Sequence, residues 1–195
     1  MTKSEDAQMI VKPLSEGLAE VQKAAKKGPP PLELWNPPFC GDMDMRIARD
    51  GSWFHEGSPI GRASMVKLFS SILWREGDEY FLKTPVEKVR IKVDDAPLLA
   101  VDFEVTGEGE AQVLRFFTKT EDEVVAGAAN PLRVVMGVEP APYVHIRRGL
   151  EARIDRKTFY RMIDLGVHHE VDGQSWFGIW SDGCFFSLIP SLELG

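Results

Sequence analysis

Lys88-Val89-Arg90-Ile91-Lys92-Val93, followed by Leu99-Ala100-Val101-Asp102-Phe103-Glu104-Val105, is the stretch that decides the fold class. Apolar side chains return every second residue in both runs, the period of strands with one buried face, and two paired strands follow. The pattern continues C-terminally. Gly107-Glu108-Gly109 supplies a turn, Val113 to Phe117 a further strand and Val134 to Val138 another, spaced as in an antiparallel meander or small barrel. On the N-terminal side Met43, Met45 and Ile47 alternate with Asp44 and Arg46, and Asp50-Gly51 provides a hairpin turn before Trp53-Phe54. A last hairpin is expected from Ser175 to Trp180 and Cys184 to Ile189, around Ser181-Asp182-Gly183.

Helices interrupt the strands at three places. Met65, Leu68, Phe69, Ile72 and Leu73 fit a period of 3.6, and Glu76-Gly77-Asp78 is expected to end that helix before Tyr80-Phe81-Leu82. A second helix runs from about Arg156 to Leu165. In the leader, Met1 to Gly28, the residues Leu14, Leu18 and Val21 make one helical face, and Gly28 with Pro29, Pro30 and Pro31 stops it. The prolines favour an extended strap, either laid on the body or docking a partner. Leu32 to Phe39, broken by Pro37 and Pro38, reads as a buried extended loop.

The two later helices align at an offset of 94 residues (154 − 60): Ile60-Gly61-Arg62 meets Ile154-Asp155-Arg156, and Met65, Leu68 and Phe69 meet Phe159, Met162 and Ile163. A strand precedes each, Ile47-Ala48-Arg49 or Ile146-Arg147-Arg148, and an aromatic strand follows each. The expected fold is therefore α+β and strand-rich, with a duplicated strand-turn-helix-strand core. The first copy carries five extra residues around His55-Glu56-Gly57-Ser58-Pro59 (13 from Ile47 to Ile60, against 8 from Ile146 to Ile154), a loop where function can settle. Gly61 and Asp155 read as helix caps, each followed by an arginine that opposes the helix dipole. Either a carboxylate pairs with Arg62 and Arg156, or each guanidinium joins the helix-end amides in an anion site.

The 195 residues are 44% hydrophobic and 27% charged, enough for a real core without staples. With 23 basic against 30 acidic residues the net charge is −7, which argues against a long nucleic-acid partner. No apolar run approaches the roughly 20 residues of a membrane span, so no membrane role is expected. Two cysteines, Cys40 and Cys184, make no disulfide framework, and with no signal peptide the cytoplasm is the expected location. Phosphate-loop, dinucleotide and zinc-protease signatures are absent, Gly57-Ser58-Pro59-Ile60-Gly61 lacks the second glycine of a nucleophile elbow, and His168-His169 has no zinc spacing. Asp42 and Asp44 share a strand face that suits a hard cation but lacks a third ligand. No catalytic residue, metal or cofactor is assigned. His55-Glu56 as an acid–base pair is weakened because neighbours on a strand face opposite ways.

Long ordered blocks resemble the bacterial domain of unknown function 1285 family. They are Gly41 to Ile47, Asp50 to Ile60, Thr84 to Val89, Asp95-Ala96-Pro97, Asn130 to Val134, Pro142-Tyr143-Val144 and Gly149 to Ala152, which together cover most of the chain after Leu32. The resemblance implies a duplicated core, a C-terminal half like a pleckstrin-homology-like antiparallel barrel, a cleft between halves, and a suggested nucleotide-type ligand and signalling role. The expected domains are residues 1–31, 32–84 and 85–195. Candidate ligand-binding residues are Arg46, Trp53, His55, Glu56, Arg62, Glu87, Arg133 and Tyr143. In that reading Arg62 and Arg133 hold phosphate, Trp53 or Tyr143 stacks on a base, and Glu56 or Glu87 accepts from a ribose or an exocyclic amine. The alternatives are a protein-interaction module using the proline strap, and a phosphoester hydrolase or transferase using His55 and Glu56.

Overall fold

The computed structural model describes residues 12–194; the start of the leader, residues 1–11, lies outside the described residues. By internal contacts the chain divides into an N-terminal unit, residues up to Ala48 with Ser52–Asp94, and a C-terminal unit, Arg49–Gly51 with Asp95 onward.

The N-terminal unit holds α1 (Lys12–Ala25), β1 (Phe39–Ile47), β2 (Trp53–His55), β3 (Ser58–Pro59), α2 (Ala63–Ser71), β4 (Leu73–Glu76), β5 (Glu79–Lys83) and β6 (Lys88–Val93). They build one six-stranded sheet in the order β3-β2-β1-β6-β5-β4, antiparallel except where β1 runs parallel to β6. Met45, Ile47, Trp53, Phe69, Ile72 and Leu82 form its core, with the Trp53 ring stacked on Phe69 at 6.0 Å. Charged residues take the alternate strand positions: Arg46 pairs with Asp94 at 3.1 Å, and Arg90 holds Asp42 through two hydrogen bonds of 2.7 and 3.1 Å. The leader helix lies on this body. Val21 is fully buried, and at Gly17 a Cβ would stand only 2.5 Å from Thr84 Oγ1, so only glycine permits that approach. The strap is packed too, with Pro30 and Leu32 buried and Leu32–Leu34 wound into a 3₁₀ turn.

The C-terminal unit holds β7 (Leu98–Thr106), β8 (Val113–Thr118), β9 (Glu123–Val125), β10 (Leu132–Val135), β11 (Ala141–Arg147), β12 (Leu150–Ile154), α3 (Arg156–Ile163), β13 (Val167–Val171), β14 (Gln174–Ser181) and β15 (Cys184–Pro190). A second six-stranded sheet runs β10-β11-β12-β7-β8-β9, again with one parallel pair, β7 beside β12, while β13-β14-β15 form a separate meander. Ser181 ties the two sheets together, since its Oγ accepts from Leu114 N at 2.9 Å and donates to Ala126 O at 2.7 Å. Leu114, Phe116, Ile154, Met162 and Ile179 are fully buried in this unit.

The strand-rich α+β class is as expected, and hairpin, helix and three-strand meander occur twice: β1-β2, α2, β4-β5-β6, and β11-β12, α3, β13-β14-β15. Pairing differs between the two. In the first, β6 closes onto β1, the first strand of its hairpin, whereas the second hairpin is joined by β7 at its second strand, β12, and β13-β14-β15 stay apart. Other expectations are corrected. Lys88–Val93 pairs with β1 and β5, not with the following strand, so it belongs to the first unit rather than to a domain beginning at residue 85. Leu73 opens a strand rather than closing a helix, because Trp74 and Arg75 pair with Phe81 and Tyr80, and Gly77-Asp78 turns that hairpin. The five extra residues of the first copy form β3 and a tight turn, with φ of 49° at Glu56 and 74° at Gly57.

Candidate functional site

In the N-terminal unit β1 pairs irregularly with β6: Phe39 faces Lys88, Asp42 faces Arg90 and Arg46 faces Lys92, with a shift in each interval. Seven residue steps of β1 (46 − 39) therefore run against four of β6 (92 − 88), and bulges of this kind bend a strand and re-aim its side chains. Along the bulged stretch lies a cavity of about 380 Å³ lined by Cys40, Asp42, Asp44, His55, Glu56 and Glu87, with Met43 and Val89 as its apolar wall. Glu56 is brought to β1 by its own amide, which donates to Asp44 O at 2.9 Å. Glu87 is set by the turn before β6, where Thr84 Oγ1 accepts from the amides of Val86 and Glu87 at 3.3 and 3.2 Å. Glu87 is only 6% exposed, and its Oε1 is enclosed with no hydrogen-bond partner. Burial pushes its pKa above the ordinary value. Arg90 holds Asp42 below the usual carboxylate range, whereas Asp44, Glu56 and Glu87 have no cationic partner among the described residues. Met43 and His55 also border a smaller apolar cavity of about 170 Å³, completed by Leu18, Met45, Met65 and Phe69 among others.

In the C-terminal unit Arg133, Tyr143 and Arg153 stand in register across β10, β11 and β12. Arg133 grips Glu151 through two 2.6 Å hydrogen bonds and lies 4.2 Å from the centre of the Tyr143 ring. The Tyr143 hydroxyl donates to Asp95 Oδ1 at 2.6 Å, and Arg153 pairs with Oδ2 of the same carboxylate. Burial pushes Asp95 up, but these two donors outweigh it and leave its pKa below the ordinary value. Beside Arg153 a cavity of about 310 Å³ is bounded by Pro142, Ile154, Glu139, Arg156, Phe159 and Tyr160. Asp155 caps α3 by accepting from Thr158 N at 2.8 Å, which places Arg156 in the first turn. Arg156 Nε donates to the Tyr160 hydroxyl at 3.2 Å, and no carboxylate binds this guanidinium among the described residues. Glu139 on the cavity wall acts on Arg156 at longer range without an ion pair, and a guanidinium so placed at a helix N-terminus beside two aromatic rings can receive an anion that carries a flat group.

The architecture and the ordered blocks find their match in one family. Its N-terminal model, described as "Domain of unknown function (DUF1285), N-terminal domain", matches residues 30–96, and its C-terminal model, "Protein of unknown function (DUF1285), C-terminal domain", matches residues 97–188. The chain belongs to the DUF1285 family. The crystal structure of a DUF1285 family protein from Silicibacter pomeroyi DSS-3 is 60% identical, with a TM-score of 0.80 over 86% of this chain and 91% of that one. A DUF1285 family protein from Shewanella baltica OS155 is 33% identical, with a TM-score of 0.50 over 63% of this chain and 91% of that one. No curated protein matches.

The DUF1285 fold separates the residues named from sequence. His55, Glu56 and Glu87 meet in the acidic cavity. Arg133 and Tyr143 stack on one another, but Glu151 already occupies the Nε and Nη2 edge of Arg133 and neutralises its charge. Trp53 is 2% exposed in the core and cannot reach a base. Arg46 is held by Asp94 and lies 5.0 Å from the Phe54 ring. Arg62, not Gly61, is the N-cap of α2; it is exposed, and no carboxylate pairs with it among the described residues. His168 reaches Ser191 at 2.7 Å and His169 packs against Trp180 and Phe185, so the two side chains part. Both cysteines are free thiols. The residues that sequence reasoning passed over as a group are Arg153, Phe159 and Tyr160. Their one legible signal was Arg156, a cation in a first helical turn.

Proposed function

We propose that this DUF1285 protein is a binding protein for a small anionic ligand of nucleotide type, held in the cavity beside the N-terminus of α3. Arg156 carries the reading: it faces a cavity of about 310 Å³, within the range of small-ligand pockets, with a hydrogen bond to a tyrosine hydroxyl and Glu139 acting on it at longer range. The phosphate binds Arg156, and a base lies along Tyr160, which is 56% exposed and so available for stacking. We place the protein in the cytoplasm and its ligand in a signalling role. A duplication behind the repeated element order, and a barrel-like ancestry for the C-terminal unit, belong to the same proposal.

Calorimetric titration with nucleoside mono- and diphosphates, cyclic nucleotides and dinucleotides tests it. Saturable binding of one class is expected, weakened roughly tenfold or more by Arg156→Ala, the loss of a charged hydrogen bond. Binding that is indifferent to Arg156→Ala moves the ligand elsewhere. The strap reading has less support, because Pro30 and Leu32 are buried and pin the segment to the N-terminal unit, although Pro29 and Pro31 are exposed.

A further inference from the structure

The acidic cavity of the N-terminal unit is unsuited to an anion, and its chemistry points the opposite way. Four carboxylates line it, and one, Asp42, is already neutralised by Arg90. The remaining three, Asp44, Glu56 and Glu87, face about 380 Å³ of space with no cation of the described residues to meet them. Glu87 is the most demanding. A carboxylate 6% exposed whose Oε1 accepts no hydrogen bond carries a desolvation cost that a folded protein normally offsets with a partner. Oε1 is enclosed, so a ligand in the cavity meets this carboxylate at Oε2, and the partner it offers is a donor, since an ionised carboxylate only accepts.

A metal ion does not fit. Among the described residues no three of the His, Cys, Asp and Glu side chains come close enough together to hold one ion. Carboxylates spread around one cavity, with Met43 and Val89 between them, fit separate positive charges joined by methylenes. Ammonium groups satisfy carboxylates through up to three donors each, and the linking carbons cover the apolar wall. We propose that this cavity binds a linear aliphatic di- or polyamine, with one ammonium on Glu87 and another between Asp44 and Glu56. The site is independent of the nucleotide reading, because it uses no residue of the α3 cavity.

The test is calorimetric titration of the full chain at low ionic strength with putrescine and spermidine, and with butylamine, lysine and magnesium chloride as comparisons. Saturable binding of the di- or polyamine is expected, weaker for butylamine, which has one charge, and for lysine, whose carboxylate meets the acidic wall. Glu87→Gln should weaken it roughly tenfold or more while leaving the melting temperature of the free protein equal or higher. An Asp44→Asn/Glu56→Gln double variant, at two exposed positions, should weaken it likewise. Failure to saturate at millimolar amine overturns the proposal. So does an equal response to magnesium at matched ionic strength, which is charge screening, or undiminished amine affinity in a folded Glu87→Gln protein. Arg156→Ala should leave the amine titration unchanged, so either site can fail alone.

Discussion

Glu87 and Asp95 are both shielded carboxyls, and their surroundings move them in opposite directions. Glu87 has burial and no donor, so its folded pKa lies above its unfolded value and the native state holds the proton more tightly. Its penalty is absent below the unfolded pKa and grows as pH rises through the folded one. Glu87→Gln should therefore stabilise the free protein at neutral pH by on the order of 1 kcal/mol and show little gain near pH 4, as thermal melts at the two pH values will register. Asp95 is stabilised as the anion by Tyr143 and Arg153, so its contribution is present above its unfolded pKa and lost as pH falls through the folded one. Tyr143→Phe removes one donor to that charge. The expected cost is about 1.5–3 kcal/mol at neutral pH, and the acid limb of the stability curve should move to higher pH. Unchanged acid unfolding in Tyr143→Phe would show that the two arginines, Arg153 with Arg49 at 3.5 Å, hold Asp95 without the tyrosine.

At the scale of elements, the two later helices begin differently. In α3 the Asp155 carboxylate satisfies the Thr158 amide, whereas α2 starts at Arg62 with no side-chain cap. Asp155→Ala should cost about 1 kcal/mol, a fall of about 2–4 °C in the melting temperature for a chain of this size. Arg62→Asp should be neutral or stabilising, because an acceptor then stands where a cation opposed the dipole. Strand positions were legible because each amphipathic strand writes its own period: β1, β6, β7, β8, β14 and β15 stand where alternation and turn residues put them. The end of α2 was not. Ile72 and Leu73 fit the helical period as well as the strand that Leu73 opens, and only pairing with Leu82 separates the two.

At the scale of the molecule, each six-stranded sheet is organised by one parallel pair, β1 with β6 and β7 with β12, between strands far apart in the chain. That pairing moved Lys88–Val93 into the first unit, and the bulges it imposes on β1 gather His55, Glu56 and Glu87 with Asp42 and Asp44. By itself the sequence determined the strand-rich α+β class, the twice-used order of strand, turn, helix and strand, the cap at Asp155 and the family, since these depend on local period, turn chemistry and contiguous blocks. Tertiary structure alone decided strand partners, the burial of Trp53 and the partnerless state of Glu87. A side chain's desolvation and the donors within its reach are set by residues distant in sequence, and no local pattern records them.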